Sequence, residues 1–232
     1  VNVNGARALG PALAGVVIAS LGVPAVFVMN AVCALALLVV LLAWRRPRMT
    51  FPARERFLPA VAAGARYVRH EPVVRLILTR LAVFVVPATA LWALLPLIAS
   101  RQFGLGSAGY GVMFGALGVG AILGALLLGR IRRWLSAHSL LTVASVAYGA
   151  AFGALAFVPD AVAGVPVPVV AGACWTAVAA TLNAELQLFL PGWVRARALA
   201  IYLMTFTGGQ ALASPLWGVL TQVTSLRLAI GV

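Results

Sequence analysis

The sequence predicts an all-α integral membrane protein, a bundle of about seven transmembrane helices. Three observations predict it: overall apolarity, the length of the apolar runs and the placement of the arginines. Hydrophobic residues make up 63% of 232 positions and charged residues only 9%, with a mean hydropathy of +1.07. A soluble domain carries about a quarter charged residues, so there is too little polar surface here to cover a water-facing globule. The formal net charge of +13 would also suit a nucleic-acid binder, but placement excludes that partner. The basic residues are all Arg, and they sit in short clusters between long apolar runs, the pattern that orients membrane proteins.

A helix crossing roughly 30 Å of hydrocarbon needs about 20 residues. Seven runs meet or approach this, at 5–21, 23–44, 81–99, 110–128, 140–158, 165–190 and 198–222, and 226–232 reads as the start of another. Backbone groups in lipid must be satisfied internally, and these runs are too long and unpatterned for barrel strands. The connections alternate in charge. Residues 44–80 hold nine arginines, Arg130, Arg132 and Arg133 follow the fourth run, and Arg195 and Arg197 precede the seventh. Against these fourteen, the intervening loops hold only Arg101 and Arg227, which places the arginine-rich loops on the cytoplasmic side.

Within the long connection, 55–71 has apolar residues at Leu58, Val61, Ala62, Ala65 and Val68 with arginines between. That spacing predicts a helix with an apolar stripe lying on the inner membrane surface; the alternative is an ordinary solvated helix. His70 and His138 read as solvated loop residues, and Cys33 and Cys174 as small packing residues inside apolar runs. None has the partners of a metal site. There is no GxxxxGK[ST] phosphate loop, and no paired acids, His cluster or nucleophile with a base. Neither a cofactor nor an enzymatic activity is expected.

The chain also repeats itself. At an offset of 204 residues Gly5 falls on Gly209 and Pro11 on Pro215, with Ala8, Leu9 and Ala12 on Leu212, Ala213 and Leu216. Both copies begin on the cytoplasmic side, as in a transporter built from two similar six-helix halves. The later copy has a helical run-up from Arg197, whereas only four residues precede Gly5. The expectation is that Val1 lies inside a helix, and that the helices before it belong to the same protein but not to this sequence.

At these residues a family resemblance emerges. Gly10-Pro11-Ala12-Leu13-Ala14-Gly15 resembles the fifth-helix GPxxGG motif of major facilitator superfamily exporters, with Ala14 in place of the first glycine of the final pair. Gly111, Gly115, Gly118, Gly120, Gly124 and Gly129-Arg130-Ile131-Arg132-Arg133 resemble the eighth helix and the loop after it, without that loop's aspartate. Pro191 through Arg195-Ala196-Arg197 resembles the P…RGR loop, with Ala196 for glycine. The pattern is most similar to the bacterial branch of enterobactin and macrolide exporters. It implies helices five to eleven of twelve, with 1–44 ending the N-terminal half, 45–71 a linker and 72–232 the C-terminal half. It also implies that helices six and nine face lipid, while five, seven, eight, ten and eleven line or flank a cavity. The polar residues agree: the second and fifth runs carry chiefly Asn30, Thr142, Ser145 and Tyr148. The last two carry Asn183, Glu185, Gln187, Tyr202, Thr205, Thr207 and Gln210.

The function so implied is a proton-coupled exporter of small amphipathic molecules in a bacterial inner membrane, with the lipid bilayer and a small-molecule substrate as partners. The alternatives are a permease subunit of an ATP-driven complex, or a fragment that transports nothing. Arg7 lies well inside the first span, where an arginine costs about 2.5–3.5 kcal/mol and must face protein or water. It either holds an anionic group or serves as an ion pair or snorkelling residue. Glu185 is the only acid within a span; it either exchanges a proton during transport or pairs with Arg195 or Arg80. Asn183 and Gln187 share a helix face at i, i+4, with Glu185 opposite. Thr89, Trp92 and Pro96 share another, which lines a cavity or packs against a neighbour, and Pro87 and Pro96 permit bending. With Thr205 and Gln210 these complete the substrate-pathway candidates. Gly10, Pro11, Gly15, Gly124, Gly129, Arg130, Arg195 and Arg197 are the conformational-motif candidates. Single cysteines placed within 45–56 and within 101–108, in a background lacking Cys33 and Cys174, should be labelled by an impermeant thiol reagent from opposite faces of the membrane. Labelling from the same face contradicts the threading.

Overall fold

Helix boundaries follow short-range chemistry. The computed structural model describes Val17, Leu21, residues 23–44 and residues 57–223. These form α1 (Val23–Ala43), α2 (Phe57–His70), α3 (Pro72–Leu97), α4 (Ser107–Ile131), α5 (Ala137–Ala154), the one-turn α6 (Ala161–Gly164), α7 (Pro166–Phe189) and α8 (Gly192–Val223). Pro72 and Pro166 open α3 and α7, where a missing N–H costs nothing. The Ser136 hydroxyl accepts from Ser139 N at 3.1 Å to cap α5, and Asp160 Oδ1 accepts from Ala163 N at 2.8 Å to cap α6. After α3 a π turn at Ile98–Gln102 leads to Gly104, whose φ of 63° turns the chain back into α4.

Among the described residues, five segments are long and apolar enough to cross a membrane: Pro24–Ala43, Pro72–Gln102, Ser107–Ile131, Ala137–Ala154 and Ala161–Phe189. The seventh expected run also forms a helix, α8, whose 32 residues extend about 48 Å. Tyr202, Thr205, Thr207 and Gln210 interrupt its apolarity, and it is not among the five. The first expected run, 5–21, lies outside the described residues apart from Val17 and Leu21. Four helices begin earlier than expected, α3 and α8 by the most. Arg75 and Arg80 lie in the first turns of α3, and Arg195 and Arg197 in those of α8. Long arginine stems let their charged ends reach the membrane surface from inside a helix, so a charge cluster marks that surface and not a helix end.

The tightest helix pair is α4 with α7, and glycines make it possible. A Cβ on Gly120 would collide with the Val169 carbonyl oxygen, and one on Gly172 with that of Leu117. A Cβ on Gly124 would come within 2.6 Å of the Ala173 carbonyl oxygen. Backbone therefore lies against backbone, the small-residue contact by which helices associate in lipid. Around this pair α5 packs on α7, and α3 packs chiefly on α8. The core is built from α3, α4, α5, α7 and α8, including Leu81, Leu91, Leu117, Leu182 and Val194. By contrast α1 is exposed nearly along its whole length, and α5 is the least enclosed of the other four apolar spans. These are the second and fifth runs, the two poorest in polar groups.

Contacts also sort the helix ends. Arg80 near the start of α3 meets His138 at the start of α5, and Tyr67 of α2 meets Trp193 at the start of α8. At the other end Gln102 donates to Leu155 O at 2.7 Å. The described arginines thus gather at one end of the bundle, with Arg101 at the opposite one. The α2 helix forms as expected, and Gly64, Tyr67 and Val68 turn toward the protein. Gly64 is buried against Arg197 Cβ, and Tyr67 and Val68 pack on the core, while Ala62 and Ala65 are exposed. The reason is local: only glycine lets α2 approach α8 so closely.

Substituting Gly120 or Gly172 by Val should cost about 3 kcal/mol or more, because backbone on both sides prevents relaxation. Gly129→Ala, with nothing within 4 Å of its added Cβ, should be neutral or gain up to about 1 kcal/mol in helix propensity. Denaturant unfolding in detergent micelles, followed by tryptophan fluorescence, measures both.

Candidate functional site

One aromatic side chain joins most of the bundle. Trp175 of α7, nearly inaccessible, contacts Phe84 and Trp92 of α3, Tyr148 of α5 and Phe206 of α8, with ring centroids 5.4–6.2 Å apart. Trp92 continues the chain to Phe114 of α4 at 5.4 Å, and Phe114 to Tyr110 at 5.8 Å. Tilted and edge-on rings at these separations add to the gain from burial alone. Sequence reasoning picked out Trp92 but missed Trp175. An aromatic in an apolar run carries no signal that separates a central position from a lipid-facing one.

The same region brackets Pro87. The Tyr148 hydroxyl donates to Ala88 O at 2.6 Å, and Trp217 Nε1 of α8 donates to Val86 O at 3.0 Å. Thr89, 1% exposed, donates to Val85 O at 2.7 Å. Two neighbouring helices and one local side chain thus bond the backbone around the proline, where the helical ladder lacks an N–H. Of the three residues predicted to share a face, Thr89 is enclosed in helix packing, Trp92 belongs to the aromatic chain and Pro96 is exposed.

The polar candidates lie on α7 and α8. Gln187 Nε2 donates to Asn183 Oδ1, the i, i+4 pairing expected. Tyr202 of α8 donates to Ala179 O of α7 at 3.2 Å. Thr205 and Thr207 donate back to Ile201 O and Leu203 O, which satisfies the hydroxyls inside their own helix. Gln210 is half-buried, and its carbonyl accepts from Ser214. Glu185 is half-buried near the arginine-rich end of α7. Neither arginine considered as its partner holds it: Arg195 donates to Leu190 O at 3.2 Å and Arg80 to His138. Among the described residues it is the only acid inside a long helix, Glu71 preceding α3 and Asp160 capping α6. No cluster of metal-binding side chains occurs among the described residues.

A family model for transmembrane secretion effectors matches residues 1–232, the full chain. The chain belongs to this family of the major facilitator superfamily. It is therefore a multi-pass membrane protein of the secondary-transporter type. No curated protein matches it significantly. Among the motif residues that first suggested the superfamily, Gly124 lies in the α4–α7 contact, whereas Gly129 and Arg130 are exposed at the end of α4. Arg195 closes the α7–α8 turn, and Arg197 supports α2 through its Cβ. Gly10, Pro11, Gly15 and Arg7 lie outside the described residues. Cys174 is half-buried, as expected of a packing residue, but Cys33 is exposed because α1 has little protein cover. His138, read from sequence as a loop residue, sits in the first turn of α5 against Arg80.

Trp175→Ala should cost about 3–5 kcal/mol, since the cavity left among four rings cannot collapse. Tyr148→Phe should cost about 1 kcal/mol, the net worth of one hydrogen bond. Denaturant titrations of the two variants in detergent should separate them clearly.

Proposed function

We propose that this transporter is a proton-coupled exporter of small amphipathic molecules of drug or siderophore type in a bacterial inner membrane, similar to the enterobactin and macrolide exporters. The observation that carries the reading is Glu185, a half-buried carboxylate inside α7, with Arg195 bonded to Leu190 O and Arg80 to His138. Proton-coupled transport calls for an acid within the spans, and among the described residues Glu185 is the acid inside a long helix.

The substrate path is assigned to the polar side of α7 and α8, with Asn183, Gln187, Thr205 and Gln210, and to Trp92 and Arg7. Support comes from the distribution of polarity: α7 and α8 carry amide and hydroxyl groups within spans that otherwise pack by apolar contact. Trp92 offers an aromatic surface to an amphipathic guest. The glycine and arginine motifs, Gly10, Pro11, Gly15, Gly124, Gly129, Arg130, Arg195 and Arg197, are assigned to the relative movement of the two halves, as rocking-type transport requires.

The test is efflux from cells stripped of their own exporters and expressing the intact gene. Hydrophobic dyes and siderophores serve as substrates, with and without a proton gradient. Glu185→Gln is expected to abolish gradient-driven efflux while leaving substrate binding to the purified protein intact. Undiminished efflux by Glu185→Gln removes the coupling role.

A further inference from the structure

The stretch 45–71 reads from sequence as a linker between two halves, yet its described helix, α2, is built into the bundle. We propose that α2 is a strap. It ties the start of α8 to the start of α3, so that these two helix ends move as one body through the transport cycle. The strap rests on the chain being of the secondary-transporter type, and on neither a substrate nor a coupling ion.

The tie to α3 is covalent and short. Pro72 opens α3, and a proline disfavours helical backbone at the residue before it. Glu71 accordingly takes φ −95° and ψ 105°, which turns the chain between α2 and α3 within a single residue. Hydrogen bonds span the corner: Glu71 N donates to Tyr67 O at 2.9 Å, and Arg75 N to Glu71 O at 3.1 Å. His70 Nδ1 donates to Arg66 O at 2.7 Å and closes the last turn of α2. So bonded a corner has little freedom to swing.

The tie to α8 is made by packing. Gly64, Tyr67 and Val68 fall at i, i+3 and i+4 on one face of α2, and Trp193 and Arg197 stand one turn apart at the start of α8. A Cβ on Gly64 would lie 2.9 Å from Arg197 Cβ, so the α2 backbone rests on the arginine's stem. One turn further along α2, Tyr67 meets Trp193 edge to face at 5.6 Å. Tyr67 and Val68 also pack on the core that contains Val74 of α3 and Val194 and Ala198 of α8, all three inaccessible.

A second tie joins α3 and α8 further along. Trp217 Nε1 donates to Val86 O at 3.0 Å, and a Cβ on Gly209 would stand 3.3 Å from Val85 Cγ1. With α2 across one end and these contacts at the other, 72–86 and 192–217 form a closed frame. Pro87 and Pro215, where α3 and α8 are able to bend, both lie at its far edge. Bending there leaves the strapped ends together. A linker helix that merely rested on the bundle would be free to leave α8 in one of the transporter's states.

The test places pairs of spin labels on the full purified chain in nanodiscs, in a background lacking Cys33 and Cys174. Distances are read by double electron–electron resonance at acidic and at alkaline pH. Labels at Ala65→Cys and Ala200→Cys report α2 against α8, and labels at Val73→Cys and Ala196→Cys report α3 against α8; all four positions are exposed. The parent is expected to give one distance for each pair under both conditions. Gly64→Val, which pushes α2 off Arg197, should spread both distributions to longer distance. Tyr67→Ala removes the ring contact without adding bulk and should act in the same direction, which separates the effect from a folding defect. Trypsin cleavage after Arg66 and Arg69 requires α2 to open locally, and should be about tenfold faster in Gly64→Val. A second, longer α2–α8 distance in the parent would mean that α2 lets go in one state. An unchanged α3–α8 distance in both variants would mean that α2 rides on the bundle without holding it. Either result, or unaltered cleavage, overturns the proposal.

Discussion

The bundle depends on one contact, the approach of the α4 backbone to that of α7 at Gly120, Gly124 and Gly172. In water, apolar helices are driven together by leaving solvent. In hydrocarbon that drive is absent, and association rests on van der Waals fit and hydrogen bonds. Three glycines on two facing helices bring carbonyl groups within contact of Cα atoms, so the pair gains dispersion along its whole crossing. The other described spans are arranged around it: α5 lies on α7, and α3 meets α7 as well as α8. Without so close a pair, Trp175 would not stand where α3, α5 and α8 can all reach it.

Polar groups then set register where apolar packing is indifferent. A leucine surface tolerates sliding, but a hydroxyl or indole N–H with one carbonyl in reach does not. Tyr148 on Ala88 O, Trp217 on Val86 O and Tyr202 on Ala179 O each tie one helix to the next at a fixed height. Two of these bonds bracket Pro87, where α3 is weakest along its own axis. The bend-permitting residue and its restraints occupy the same turn, an arrangement that limits α3 to movement in step with α5 and α8. Gln102, donating to Leu155 O, does the same at the far end of the bundle.

The sequence was legible in proportion to how local the governing physics is. Span existence follows from hydropathy and length, and the sidedness of the loops from arginine counts; the described ends obey both. The i, i+4 pairing of Asn183 with Gln187 is helix geometry alone and was readable for that reason. Helix starts were misjudged at Pro72 and Gly192, because Arg75, Arg80, Arg195 and Arg197 read as loop although a long side chain lets them sit in helical turns. On α2, closeness of approach to α8 selected Gly64, a residue that hydrophobicity does not mark.

By itself, the sequence determined that this chain lives in lipid, that its segments are helices and which ends share a side, because each of these depends on one segment meeting one solvent. It also held the motifs of the superfamily to which the chain belongs. Only the tertiary structure decided that Trp175 is central, that His138 belongs with Arg80 across 58 residues, and that Glu185 stands apart from both arginines first considered for it. Those outcomes depend on which helix faces lie together. In a chain this uniformly apolar, hydrophobicity marks no face as inner or outer, so fit between particular side chains makes the choice.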